Sequence, residues 1–154
     1  FAEAARTLET GGLFMFSTLG PDTLKELRAA FAAVDGYQHV NRFIDMHDLG
    51  DELVHAGFAD PVMEMEIITL EYSSVEKVAR DLKAIGANNS LPGRPRGLSG
   101  RSRWRDVIAH YDRLRTNGVL PATYEVVYGH AWKVAPKHIA DGRQVIDFPT
   151  RRGP

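Results

Sequence analysis

Apolar residues recur along the chain in two rhythms, a helical one and a strand one, separated by glycine and proline. Phe1, Ala4, Ala5 and Leu8 fall at i, i+3, i+4 and i+7, one face of a helix that Gly11-Gly12 ends. Leu13-Phe14-Met15-Phe16 is apolar on both faces and predicts a strand buried between two layers, finishing in Ser17-Thr18. Gly20-Pro21-Asp22 opens the next helix, with proline near its first position, and Leu24, Leu27, Phe31 and Val34 mark its buried stripe up to Asp35-Gly36. His39 to Ile44 reads as a loop. Asp45 is placed to cap a short helix carrying Leu49 and Leu53, with Gly57 as its left-handed terminator and Phe58 as the hydrophobic contact that follows.

Asp60-Pro61 predicts a turn, and Val62 to Tyr72 an edge or half-exposed strand whose glutamates alternate in part with methionine and isoleucine. Ser73 and Glu76 have the spacing of a capping box, before a helix with Val75, Val78, Leu82 and Ile85 on one face. Ala87 to Gly100 is rich in Gly, Pro, Asn and Arg and predicts a long loop. A further helix covers about Ser102 to Thr116, with Trp104, Ile108, Tyr111 and Leu114 inward. Tyr124 to Trp132 alternates as a strand, and the pattern fades beyond Pro136 into a polar tail. Helix, strand, helix, helix, strand, two helices, strand is an α/β order, that of the later part of a doubly wound sheet.

The 154 residues, 44% apolar, suffice for one packed domain. No run of about 18 apolar residues offers a membrane span. The absence of cysteine removes disulfides, thiolate zinc sites and thiol nucleophiles. The chain opens at Phe1 already inside a helical pattern, with no capping residue before it, and is read as the back part of a longer polypeptide. The apolar strand Leu13 to Phe16 then needs neighbours this chain does not provide. Self-association through that sheet edge, or loss of a native front half, is expected.

Charge is balanced overall, 19 basic against 20 acidic residues, but it is segregated. Asp45 to Asp81 holds ten acids against Lys77 and Arg80, whereas Ala87 to Gly118 holds seven arginines against Asp106 and Asp112. Arg94, Arg96, Arg101, Arg103 and Arg105 are clustered, and arginine without lysine suggests directional recognition of an anionic partner, a solvated loop being the other reading. The overall balance points to neither nucleic acid nor membrane as a partner, and the little aromatic interleaving among these arginines gives no support to stacking on nucleic-acid bases.

The six histidines form no HExxH or other close pair on a helix face, so no metal site is expected. His47 and His55 read as a solvated pair. Neither a P-loop, nor GxGxxG, nor GxSxG occurs. What remains is the carboxyl end of the first strand, with Ser17, and the stretch His39-Val40-Asn41-Arg42-Phe43. In open α/β sheets ligands sit outside such strand ends. Arg42 is suited to grip a carboxylate or phosphate bidentately, and equally to a surface ion pair with a nearby aspartate.

Four stretches in this order, Gly12-Leu13-Phe14-Met15-Phe16-Ser17-Thr18, His39-Val40-Asn41-Arg42-Phe43, Leu82-Lys83-Ala84-Ile85-Gly86-Ala87-Asn88 and Thr123-Tyr124-Glu125-Val126-Val127-Tyr128-Gly129, resemble the malonyl-[acyl-carrier protein] O-methyltransferases of biotin synthesis. These are class I, S-adenosylmethionine-dependent enzymes. The resemblance spans residues 1–134 and leaves 135–154 as an unmatched tail.

It implies a Rossmann-like fold of which this is the C-terminal half. The three strands would be the fifth, sixth and seventh of the sheet, the last antiparallel between the others, with residues 73–118 as a helical lid insertion. The enzyme would be cytoplasmic, with S-adenosylmethionine as methyl donor and an acyl-carrier protein bearing the substrate. The family's donor-binding glycine loop and ribose-binding acid have no counterpart here, so no cofactor-binding residue is assigned and the chain alone is expected to be inactive.

A malonyl carboxylate is ionised well below neutral pH and is already nucleophilic, so no catalytic acid or base is assigned either. Arg42 is expected to hold that carboxylate, with His39, Asn41 and Ser17 lining the pocket. Arg94, Arg96, Arg101, Arg103 and Arg105 are expected to dock the acidic carrier. The alternatives are a class I methyltransferase for another small carboxylic acid, and a stand-alone arginine-loop module binding an acidic protein or RNA.

Overall fold

In a computed structural model, residues 1–91, 94 and 100–135 are described. The elements are α1 (Ala2–Thr7), β1 (Leu13–Leu19), α2 (Lys25–Ala32), α3 (Met46–His55), β2 (Phe58–Tyr72), α4 (Val75–Ala84), α5 (Arg101–Asp112) and β3 (Leu120–Lys133). Their order is the one the hydrophobic pattern predicts. The three strands make one sheet in the order β1-β3-β2, with β3 antiparallel to both neighbours.

Two clusters hold the helices to the sheet. On one face, α1 and α3 cover Phe14, Phe16 and Ala131, with Leu53 wholly buried beside Phe58. The rings of Phe1, Phe14, Phe16 and Phe58 lie 5.2–6.0 Å apart in this cluster. The second cluster joins α2 to α4, α5 and the first residues of β3 through Leu24, Leu27, Val78, Val107, Tyr111 and Leu120. The Tyr111 hydroxyl donates to the Pro121 carbonyl at 2.7 Å, and burial pushes its phenol well above the ordinary range. Arg115 ties the far end of the helix pair down, donating to the carbonyls of Ser73 and Gly118.

Local expectations are met or corrected for physical reasons. Asp45 caps α3 by accepting from the His47 N–H, and Gly57 takes φ +90 behind it. Strand β1 is not buried on both faces. Phe14 and Phe16 pack under the helices, while Leu13 and Met15, the latter 70% exposed, point to the open side. On the same side of β3, Trp132 opposite Leu13 and Tyr128 opposite Ser17 are exposed as well, and His130 opposite Met15 is half-buried.

Strand β2 begins at Phe58, and Asp60-Pro61 forms a bulge in it rather than a turn before it. A proline on an edge strand deprives no neighbour of a hydrogen bond. The capping box does not form: Ser74 is the N-cap of α4, and no side chain closes it. Ile85 and Leu114 are exposed, each lying beyond the last residue of its helix. Helix α2 starts at Lys25, later than its Gly20-Pro21-Asp22 signal, because Leu24 takes φ 54 and breaks the entry.

Candidate functional site

That late start builds the carboxyl end of β1. The chain leaves the strand at Gly20, whose N–H donates to the Glu125 carbonyl at 2.9 Å, and Leu24 N–H reaches the Thr123 carbonyl at 2.6 Å. Two buried carboxylates from opposite sides hold the turn. The Glu125 carboxylate accepts from the Asp22 N–H at 2.7 Å, and the Glu26 carboxylate from the Thr123 N–H at 3.1 Å and from its hydroxyl. Thr23 completes the lock by exchanging hydrogen bonds with the Glu125 backbone. Arg28 donates to the carbonyls of Pro21 and Thr23 at 2.9 and 2.8 Å, closing the turn from α2.

Downstream of α2, the loop carrying His39, Asn41 and Arg42 folds against this turn. The His39 ring stacks on Phe31, centroids 3.9 Å apart, and its Nε2 lies 2.8 Å from Asp35 Oδ1. Burial pushes the Asp35 carboxyl up. Hydrogen bonds from His39 and the Tyr37 N–H, with the charges of His39 and Arg103, outweigh it and hold Asp35 below the ordinary carboxylate range. An ionised Asp35 accepts, so Nε2 carries the proton and Nδ1 is left for the surroundings. Arg103 of α5 stands 3.7 Å from the other Asp35 oxygen, joining that helix to the loop.

Two cavities flank the loop, with His39 and Val40 lining both. One, about 270 Å³, is bordered by Arg28, Arg42, Tyr37 and Gln38 and by no carboxylate. Arg42 is exposed there and forms no ion pair among the described residues, so the aspartate pairing is not seen. The other, about 150 Å³, lies between Leu24 and Leu27 at the start of α2, Asn41 and Phe43 of the loop, and the segment 82–89. A larger concavity, about 580 Å³, lies elsewhere, between Phe1 and α3, where Asp48, Asp51 and Glu52 line it with charge unsuited to an anion.

The expected residues are therefore not all assembled. His39, Asn41 and Arg42 border these cavities, whereas Ser17 lines neither and is exposed on the open face of β1. The arginines also divide. Arg101 and Arg105 are exposed on α5 rather than in a loop, and Arg103 turns inward to Asp35. Arg94 donates to the carbonyls of Ser90 and Leu91, and Arg96 lies outside the described residues, as does the tail 136–154. His47 pairs with Asp45, and no metal-holding cluster occurs among the described residues. No helix of the described residues is long and apolar enough to cross a membrane.

Sequence spacing did not single out Asp35, Glu26, Arg28 or Glu125. The one available signal was Glu125, a carboxylate in step with Val127, Gly129 and Ala131 on the buried face of β3.

No family model matches the chain. Known proteins do. It is 66% identical over 137 residues to a malonyl-[acyl-carrier protein] O-methyltransferase of Nitrosospira multiformis, covering 89% of this chain and 45% of that protein. Proteins of the same name from Laribacter hongkongensis and Gallionella capsiferriformans are 62% and 60% identical, over 96% and 95% of this chain and 50% of each relative. The chain spans about half the length of the curated relatives it matches. Over that half, it is homologous to the malonyl-[acyl-carrier protein] O-methyltransferases.

Proposed function

We propose that this chain forms the substrate side of an S-adenosylmethionine-dependent methyltransferase that esterifies the free carboxylate of malonyl-[acyl-carrier protein] in biotin synthesis. Homology at 60–66% identity carries the reading. In this reading the three strands are the last three of a class I methyltransferase sheet, residues 1–134 are its C-terminal part, α4 and α5 belong to a lid over the substrate, and 135–154 are a tail. S-adenosylmethionine would supply an electrophilic methyl group.

The cavities beside the loop do not fit that donor. At about 270 and 150 Å³ they fall below the ~300 Å³ at which sites for whole small molecules begin. The donor is therefore not placed in these two cavities, and no step is derived through it. What this chain does is bind and orient the carboxylate. Arg42 and Arg28 supply the charge, and Asp35 and Phe31 hold His39 in a fixed plane beside them.

Carrier docking is assigned to the start of α5. Arg101, Arg103 and Arg105 sit in its first half, with no acid in the first turn and Gly100 as N-cap. Cations there oppose the helix dipole at about 0.3–1 kcal/mol each, a penalty that an acidic partner would offset. The test uses a chimera in which this chain replaces the matching half of a relative. It should methylate malonyl-carrier protein, and Arg101→Glu with Arg105→Glu should raise KM about tenfold at low salt and flatten its salt dependence. Thermal stability should be unchanged or slightly higher. A chimera that folds, binds donor and leaves malonyl-carrier unmethylated would sink the reading. Unaltered KM in the double variant would remove α5 from docking.

The open sheet face, with Leu13, Met15, Val62, Tyr128 and Trp132 exposed, is where copies of the isolated chain should meet. Light scattering at micromolar concentration should report a mass above the monomer, and Met15→Glu with Trp132→Glu should return it to the monomer. A monomeric wild-type chain would count against this.

A further inference from the structure

The 150 Å³ pocket between α2, the 39–43 loop and the segment 82–89 brings together two stretches of sequence that lie some forty residues apart. No Lys, Arg, Asp or Glu lines it, in contrast to the arginine-bordered cavity across the loop. Its floor is apolar, from Leu24, Leu27 and Leu82, and carboxamides stand at its edge. One of these is structural. Asn89 donates to the Gln38 carbonyl at 3.0 Å and accepts from the Leu91 N–H at 3.1 Å, fastening one wall to the other. The side chains of Asn41 and Asn88 are exposed and form no hydrogen bond among the described residues. The pocket is thus a held frame with free amide donors and acceptors at its mouth.

This chemistry selects the ligand. A charged group would find no counter-charge. A whole nucleotide or other cofactor would not fit, because sites for such molecules begin at about 300 Å³. A slender aliphatic chain interrupted by secondary amides suits both features. Its methylenes lie on leucine, and each amide requires one donor and one acceptor, which a carboxamide supplies together. We propose that this pocket seats one amide-bearing segment of the arm of a pantetheine-type thioester, the rest of the arm lying outside it, with Asn41 and Asn88 reading the amide groups at its mouth. The proposal rests on the malonyl-thioester reading above and adds the place where the substrate is held remote from its carboxylate. Because His39 and Val40 line both cavities, arm and carboxylate would lie on either side of one short wall.

The experiment is an NMR titration of the isotope-labelled 154-residue chain with pantetheine, with malonate, and with butanol as an apolar probe lacking amides. Pantetheine should move the side-chain amide signals of Asn41 and Asn88, and neither malonate nor butanol should. Asn41→Ala with Asn88→Ala should weaken pantetheine binding about tenfold and leave the malonate response unchanged. Both side chains are exposed, so the variant should keep its fold, checked by the unchanged remainder of the spectrum. Pantetheine binding that misses these signals, or an unaltered affinity in the double variant, overturns the proposal. Retained pantetheine shifts with no malonate response at Arg42 would support the pocket and count against the carboxylate reading instead.

Discussion

Arg42→Ala lowers kcat/KM for malonyl-carrier protein by about 10- to 100-fold in the assembled chimera, the range expected when hydrogen bonds to a charged group are lost. The loss should fall mainly on KM. Methylation neutralises the carboxylate, so an arginine holding it binds the charged ground state at least as tightly as the transition state. Such an interaction adds binding, and it contributes to kcat only through orientation. A guanidinium fork occupies part of a carboxylate's lone-pair capacity and leaves an oxygen able to attack, which a closed ring of cations would not. Arg42→Lys should recover part of the binding, since the charge remains, and little of the orientation, since the fork is gone. Steady-state kinetics on the three proteins decide it. An unchanged KM in Arg42→Ala would show that the carboxylate lies elsewhere, and Arg28 would be the next residue to replace.

Arg42 was legible in sequence because it sits in a loop after a helix with no hydrophobic reason to be there. The contacts of the loop that carries it were not. Asp35, the residue that orients His39, looked like a helix terminator beside Gly36. Its contacts depend on the stacking of His39 on Phe31 and the approach of Arg103 from α5, and no local spacing encodes either. Element order was readable because glycine, proline or a capping residue marks the ends of the periodic runs, and α3 shows this at both ends, in Asp45 and Gly57. Strand β1 was misjudged because four consecutive apolar residues look alike whether one face or two are covered. The choice lies with α1 and α3, which reach only Phe14 and Phe16. Ser73 and Ser74 show the same limit on a smaller scale: both are residue types suited to a cap, and the second takes that place.

The buried carboxylates lead to the second large effect. Gly20→Ala should destabilise the chain by about 2–4 kcal/mol, from overpacking together with loss of a charge-assisted hydrogen bond. A Cβ on Gly20 would lie 2.3 Å from the Glu125 carboxyl carbon and 2.5 Å from Oε1, so the carboxylate must leave. Glu125 is 5% exposed, and its carboxylate holds the Asp22 N–H, so moving it unfastens the β1–α2 turn and with it the approach to the loop at His39. Glu125→Ala should itself destabilise, by leaving that N–H unpaired. In the double variant Gly20→Ala/Glu125→Ala the colliding atoms are absent, so its destabilisation should fall short of the sum of the two single effects, as expected for groups in contact. Urea unfolding of the four proteins with a common m-value measures the coupling directly. A Gly20→Ala chain as stable as the parent, or strict additivity in the double variant, would mean that Glu125 does not fill the space above Gly20. The turn would then be held by Glu26, Thr123 and Thr23 alone.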